Sequence, residues 1–313
     1  MLPLVRYRFE LTVTQPLYLP PFAGSTIRGI FGGALRGIAC MTKQPTCDGC
    51  SLLQSCPYAS VFEPRPPNDS GNLLQNFSQI PRPYVIEPPE WGERTYQTGE
   101  TLSFHLVLAG KALAQLPLIA WAIHRAFARG RVGKLSGAAE LQRVIAYTHD
   151  GEVTVLKDLQ SSVIEHNTTL PSAPVQQASS VRLHFNAPLR LQVNGRRATS
   201  EEFTPRRLLA TLIRRVSLVQ QFYGEQALEA DYTELADAAN LLEQNKELRW
   251  RDWSRFSSRQ QKKMDLGGVL GSWELRGTLT PFIPFLHVGQ WLHVGKEATF
   301  GLGGYRLEWN PNA

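Results

Sequence analysis

No stretch of the 313-residue chain approaches the run of about 18 apolar residues that a membrane span needs, and residues 1–19 show no basic stretch followed by an apolar core of signal-peptide length. A cytoplasmic protein with no membrane partner is therefore expected. Charge is sparse at 19%, but 42% of the residues are hydrophobic, which excludes a disordered chain and leaves apolar material for about two cored domains. Acidic residues are the scarcer sign, 27 against 33 Lys and Arg. The cationic excess is unevenly placed. Arg196, Arg197, Arg206, Arg207, Arg214 and Arg215 fall close together, and Lys246, Arg249, Arg251, Arg255, Arg259, Lys262 and Lys263 follow with only Glu247 and Asp252 among them. Such a concentration fits a polyanionic partner, against the alternative of a solvated face.

Cysteine is confined to one short segment. All four, Cys40, Cys47, Cys50 and Cys56, form a C-x6-C-x2-C-x5-C arrangement. In a reducing compartment thiols this close point to a tetrahedral metal site sooner than to disulfides, with Gly49 allowing a tight Cys47-Asp48-Gly49-Cys50 knuckle. A structural zinc is expected there. An iron–sulfur cluster comes second, since nothing else suggests electron transfer, and free thiols are the third alternative.

Hydrophobic periodicity divides the rest into strands and helices. Leu4 to Val13 alternates with Val5, Tyr7, Phe9, Leu11 and Val13 on one face. Ser25 is a plausible N-cap for a helix that buries Ile27, Ile30, Phe31, Ala34, Leu35 and Ile38. Arg28, Gly32 and Arg36 fall on its other side, two cations with a gap that could hold a backbone phosphate. Pro57 to Trp91 reads as an irregular, proline-rich excursion. Thr101 to Leu108 alternates so that His105 faces away from Leu102, Phe104, Leu106 and Leu108, beside Ser103. Pro117 to Arg129 is helical, Leu141 to Leu156 forms a hairpin turning at Asp150-Gly151, and Ser161 to Ser180 is a polar linker. The second half repeats the plan: a strand or hairpin from Val181 to Val193, helices over Pro205 to Tyr223 and Tyr232 to Gln244, a strand at Trp273 to Leu279, a helix over Phe282 to Val294, and a last strand at Tyr305 to Trp309. Two α+β domains follow, at 1–170 and 171–313. One alternation bears on function: over Leu248 to Phe256, Arg249, Arg251, Trp253 and Arg255 share a face, cations for phosphates and an indole for a base.

Between the last helix and strand, His293-Val294-Gly295-Lys296 leads into Thr299-Phe300-Gly301-Leu302-Gly303-Gly304-Tyr305. Gly295, Gly301, Gly303 and Gly304 permit close approach of backbone N–H groups to a phosphate, and a glycine-rich turn is the plain alternative. Together with Arg255 to Gly268 and Gly271, this stretch closely resembles the C-terminal domain of CRISPR precursor-RNA processing endoribonucleases of the RAMP superfamily, over most of residues 248–309. Gly24-Ser25-Thr26-Ile27-Arg28-Gly29 and Leu35-Arg36 resemble the first helix of RAMP proteins, and the cysteine group is similar to one in relatives of that subgroup.

The resemblance implies two tandem ferredoxin-like (RRM-like) domains, the cysteines forming an insertion in the first and the glycine-rich loop contacting RNA. It also implies an endoribonuclease that binds CRISPR repeat RNA and cuts precursor crRNA without a metal. The 2′-hydroxyl attacks the scissile phosphate, giving a 2′,3′-cyclic phosphate and a 5′-hydroxyl, which calls for a base, a donor to the leaving oxygen and positive charge for the phosphorane. The chain departs from better-known members, whose base is often a histidine in or just after the first helix, because it has no histidine between Met1 and Phe104. His293 is then the first candidate for the base, with Lys296 beside it as the catalytic cation for the phosphorane, and His105 is an alternative base. Arg28, Arg36, Arg249, Arg251, Trp253, Arg255, Arg259, Lys262, Lys263 and the four loop glycines are candidate RNA contacts. A non-catalytic RAMP subunit that holds guide RNA among other CRISPR effector subunits is the competing function.

Overall fold

In a computed structural model the described residues are 2–66, 80–130, 132, 135–226, 228, 230–257 and 262–310, with the side chains of 255–257, 262–265 and 310 left out. No described helix is long and apolar enough to cross a membrane. The chain divides into two compact units. The first comprises Met1–Pro171 and Leu218–Gln226, the second Ser172–Ser217 and Ala227–Ala313.

The first unit contains β1 (Leu4–Gln15), β2 (Leu17–Leu19), α1 (Gly24–Ala39), α2 (Pro57–Phe62), β3 (Tyr84–Glu87), β4 (Arg94–Tyr96), β5 (Thr101–Ala109), α3 (Leu116–Ala128), β6 (Ala138–Thr148) and β7 (Gly151–Leu156). Its main sheet is antiparallel in the order β3-β5-β1-β6-β7, with β2 and β4 paired separately. The alternation in β1 buries Tyr7, Phe9 and Leu11 completely, and Phe9 stacks on Phe104 of β5 with ring centroids 5.5 Å apart. α1 and α3 supply Ile27, Phe31, Leu35, Ile119, Ile123 and Phe127 to the same core.

α1 starts one residue earlier than its expected cap, with Ala23 at the N-cap and Ser25 in the first turn. The expected linker is also partly docked. Ile164 N–H donates to Val155, Leu4 N–H donates to Thr168, and Tyr7 hydroxyl lies 2.7 Å from His166 Nε2.

The second unit contains β8 (Ser180–Leu189), β9 (Gln192–Val193), β10 (Arg196–Arg197), α4 (Pro205–Tyr223, whose last residues group with the first unit), α5 (Tyr232–Asn240), β11 (Glu243–Arg251), β12 (Ser254–Ser257), β13 (Lys262–Asp265), β14 (Gly268–Arg276), α6 (Ile283–Leu292) and β15 (Tyr305–Asn310). Its sheet runs β11-β14-β8-β15, and β9–β10 and β12–β13 are separate two-stranded ribbons. Both units thus share one connectivity. Strand, helix, two strands, helix and strand give β3-β5-β1-β6 in the first and β11-β14-β8-β15 in the second, so each first strand lies inside its sheet. Trp273 is fully buried, its ring centroid 6.0 Å from that of Phe203 and 5.7 Å from Lys246 Nζ, and Tyr305 hydroxyl donates to the Leu286 carbonyl of α6 at 2.8 Å.

Two expected elements change their bounds. The helix expected to reach Gln244 stops at Asn240, after the Asp231 cap, and Glu243 already begins β11. The strand expected over Leu248 to Phe256 breaks at Asp252-Trp253, because the chain leaves β14 after Arg251 and makes a new ribbon with β13.

Candidate nucleic-acid interface

The glycine-rich loop begins where α6 ends. His293 takes φ +59°, a left-handed value that a residue with a Cβ adopts only under constraint, and its N–H donates to Gly289. Its side chain is 4% exposed. A Cβ on Gly304 would lie 2.7 Å from His293 Cε1, so the bare glycine backbone provides the surface on which the imidazole rests. Val294 N–H donates to Gly303, Gly303 N–H to Pro188 and Lys296 N–H to Arg190, at 3.1, 3.0 and 2.9 Å. A side chain on Gly303 would run into Val294 O. The loop therefore folds back on itself and on the end of β8. Gly301, Gly303 and Gly304 are buried, and the close approach they permit is to their own chain. Lys296 is exposed, while Gly295 is partly so.

Cations gather at the same end of the second unit. Arg190, whose backbone carbonyl accepts from Lys296 N–H, has its guanidinium pKa lowered first by burial and also by Arg197, against the raising effect of Glu297. Arg197 lies over the Trp250 ring, 4.5 Å from its centroid, and Trp250 Nε1 donates to Asp252 at 2.6 Å. This exposed guanidinium on an indole has the chemistry of a base or phosphate contact. It was missed in the sequence because the alternation put Trp250 on the opposite face and Arg197 belongs to a two-residue strand.

Arg249 and Arg251 share the open face of β11, opposite Leu270 and Gly268. Trp253 lies in the break after β11 and does not continue that face, and Arg255 begins the separate β12 ribbon. For Arg255, Lys262 and Lys263 only the backbone is described, in the register Arg255 opposite Met264 and Lys263 opposite Phe256. Arg259 lies outside the described residues.

In the first unit the gap expected between Arg28 and Arg36 is filled. Gly32 is covered by the Phe62 ring of α2, Arg28 lies 4.6 Å over that ring and donates to Tyr84 hydroxyl at 3.2 Å, and Arg36 donates to Gln44 O and Pro45 O. No phosphate cradle is left between them, because α2 packs its aromatic side on the bare turn of α1. Sequence periodicity could not show this, since α2 lies beyond the cysteines.

His105 stands in a polar network on the sheet face away from the helices. It pairs in register with Arg8 of β1 and Glu87 of β3, and its Nε2 lies 3.5 Å from Tyr147 hydroxyl. Arg8 donates to Tyr147, to Glu10 at 2.9 Å and to Glu152 at 2.9 and 3.1 Å, and Arg6 pairs with Glu87 at 2.8 Å. Burial holds His105 below its usual pKa. Glu87 opposes this, while Arg6 and Arg8 reinforce it. A neutral, part-exposed imidazole beside a hydroxyl and a guanidinium can accept a proton. His105 and His293 belong to different units.

The four thiols line one pocket of about 120 Å³, with Thr42 hydroxyl 3.9 Å from Cys40 Sγ and 3.6 Å from Cys50 Sγ. Burial raises the Cys40 pKa, but the Lys43 backbone, Thr42 and Arg36 outweigh it and hold the thiol below its usual value. Among the described residues no group of three or more His, Cys, Asp or Glu side chains is arranged to hold a metal ion. The expected zinc thus finds no support in the geometry of these side chains, because lining a common pocket does not converge the sulfurs on one point.

Two family models match the chain. One, AF_1859_N, described as an N-terminal domain, covers residues 2–168, more than half the chain; the other, described as CRISPR-associated endoribonuclease Cas6, covers residues 183–305. An uncharacterized protein of Archaeoglobus fulgidus is 25% identical over 320 residues, 98% of each chain. A solved Cas6 product complex gives a TM-score of 0.58 at 16% identity, covering 97% of this chain and all of that one. Thermus thermophilus Cas6 gives 0.55 at 14%, over 98% and 99%. A partial Cas6-RT-Cas1-Cas2 complex gives 0.59 at 16%, over 100% of this chain and 47% of that chain. At such identities the structural likeness shows the fold. Fold and matched models together define the class, that of CRISPR-associated processing endoribonucleases of the RAMP type. Within it, the chain belongs to the family that the AF_1859_N model describes, and its residues 183–305 are similar to the Cas6 model.

Proposed function

We propose that this protein binds CRISPR repeat RNA and cleaves precursor crRNA by metal-independent attack of the 2′-hydroxyl, on two ferredoxin-like domains. The observation that carries the reading is the Cas6 match over residues 183–305, which takes in β11, β14 and most of β8, the Arg197–Trp250 pair and the glycine-rich loop. Of the two candidate bases, His105 is preferred to His293. Its ring is part exposed and held neutral, with Tyr147 placed to donate to a leaving oxygen and Arg8 to stabilise a phosphorane. His293 lies behind Gly304, and Lys296 is the exposed cation that its loop offers to a phosphate. Other CRISPR subunits are proposed as partners, and a structural zinc at Cys40, Cys47, Cys50 and Cys56 is proposed on the C-x6-C-x2-C-x5-C spacing alone. Metal analysis of the purified protein tests that last point.

A guide-RNA-holding subunit without cleavage is the second reading, favoured by the burial of His293 and the absence of histidine before His105. Labelled repeat RNA incubated in EDTA separates the two. Cleavage to a cyclic-phosphate end, abolished by a 2′-deoxy substitution at the scissile nucleotide, is expected; tight binding of uncut RNA would select the subunit reading.

A further inference from the structure

Arg215 of α4 has chemistry that core packing does not explain. Its Nε donates to the Leu292 carbonyl at 2.6 Å, while its Nη2 is shut off from solvent and meets no hydrogen-bond acceptor among the described residues. Burial pushes the guanidinium down to about 10. A guanidinium brings five N–H donors, and placing one where a donor stays unsatisfied is destabilising. An unbranched apolar side chain could occupy the space without that penalty.

What Arg215 does hold is the last carbonyl of α6. That end of a helix carries partial negative charge and orphan acceptors, which a cationic donor satisfies. The next residue is His293, in its left-handed conformation, with its ring on Gly304 and with Val294 tied to Gly303. The loop is therefore anchored on one side by glycine contacts and on the other by one arginine.

We infer that Arg215 is a positioning residue: by holding the Leu292 carbonyl it sets the direction in which the chain leaves α6 and hence the conformation of the glycine-rich loop. Its consequence for RNA rests on the proposed function, whereas its effect on the loop does not.

The test compares full-length R215M and R215K with the unmodified protein. For R215M, the urea midpoint should be equal or higher, and amide exchange over residues 294–304 should be about tenfold faster or more, because a local anchor is removed without global unfolding. Repeat-RNA affinity should fall about tenfold while the cleavage rate at saturating RNA changes little, the pattern expected when a loop that binds RNA is deprived of its support. R215K, which keeps one N–H donor for the carbonyl, should restore most of the protection. Unchanged exchange in R215M overturns the inference. So does an R215M that fails to fold or loses stability throughout the second unit, since Arg215 would then be a general structural support. Should the unmodified protein not bind repeat RNA, the proposed function fails, and the exchange comparison still decides the role of Arg215.

Discussion

His105 and His293 stand in opposite environments in two units of the same connectivity. His293 adjoins the glycines and a lysine, yet it is a peg: buried, at positive φ, with its ring on Gly304. His105 has no cationic neighbour in the chain, yet register brings it Arg8 from β1, and Tyr147 comes from β6. A histidine next to a glycine motif can serve the motif's own fold. The side chain with neighbours suited to proton transfer is the one that sheet pairing surrounds.

The largest expected effect separates these two directly. His105→Ala should lower cleavage of repeat RNA by about 10²- to 10⁴-fold with binding nearly intact, while His293→Ala should act mainly on stability, by about 1–3 kcal/mol. Single-turnover rates and urea melts of both variants check this, and the opposite assignment of effects would invert the comparison. Gly303→Ala comes next. It places a Cβ against Val294 O at a left-handed φ and should destabilise by about 1–3 kcal/mol, a loss absent if the loop opens freely toward ligand.

Smaller shifts follow from titration and salt. Because burial, Arg6 and Arg8 together depress the His105 pKa against the pull of Glu87, kcat/KM should stay flat as pH falls through the ordinary histidine value of about 6.5 and drop only below it. A limb centred above 6.5 would exclude His105 as the base. In the second unit, Glu274 is held below its usual 4.5 by Arg276 first, then by Ser180 and Arg182, with burial opposing. Its folded pKa is lower than its unfolded one, so its stabilisation is present above about 4.5 and lost as pH falls through the folded value. Glu274→Gln should remove that part of the acid limb in melting curves. Smallest of all, Arg249→Ala should reduce the salt slope of RNA binding by about one unit if Arg249 contacts a phosphate.

Much of the fold was legible because burial follows period. Leu4 to Val13 and Thr101 to Leu108 assign their own faces, and the outward position of His105 follows from alternation alone. The site was less legible, since chemistry here depends on cross-strand neighbours. Nothing local joins Tyr147 to His105 or Arg197 to Trp250, and nothing before α2 announces that Phe62 will cover Gly32. The break at Asp252-Trp253 also lies within a run whose alternation continues, so the period gave no sign that β11 ends there.

By itself, then, the sequence determined two α+β units, their core faces and the motifs that resemble RNA-processing relatives, because apolar alternation and glycine spacing are local properties. Tertiary structure decided which of the two candidate histidines is buried, which arginines are already engaged and where the glycines make their close contacts. Those depend on register and on packing between distant segments, which fix the solvent access and the charged neighbours of each side chain.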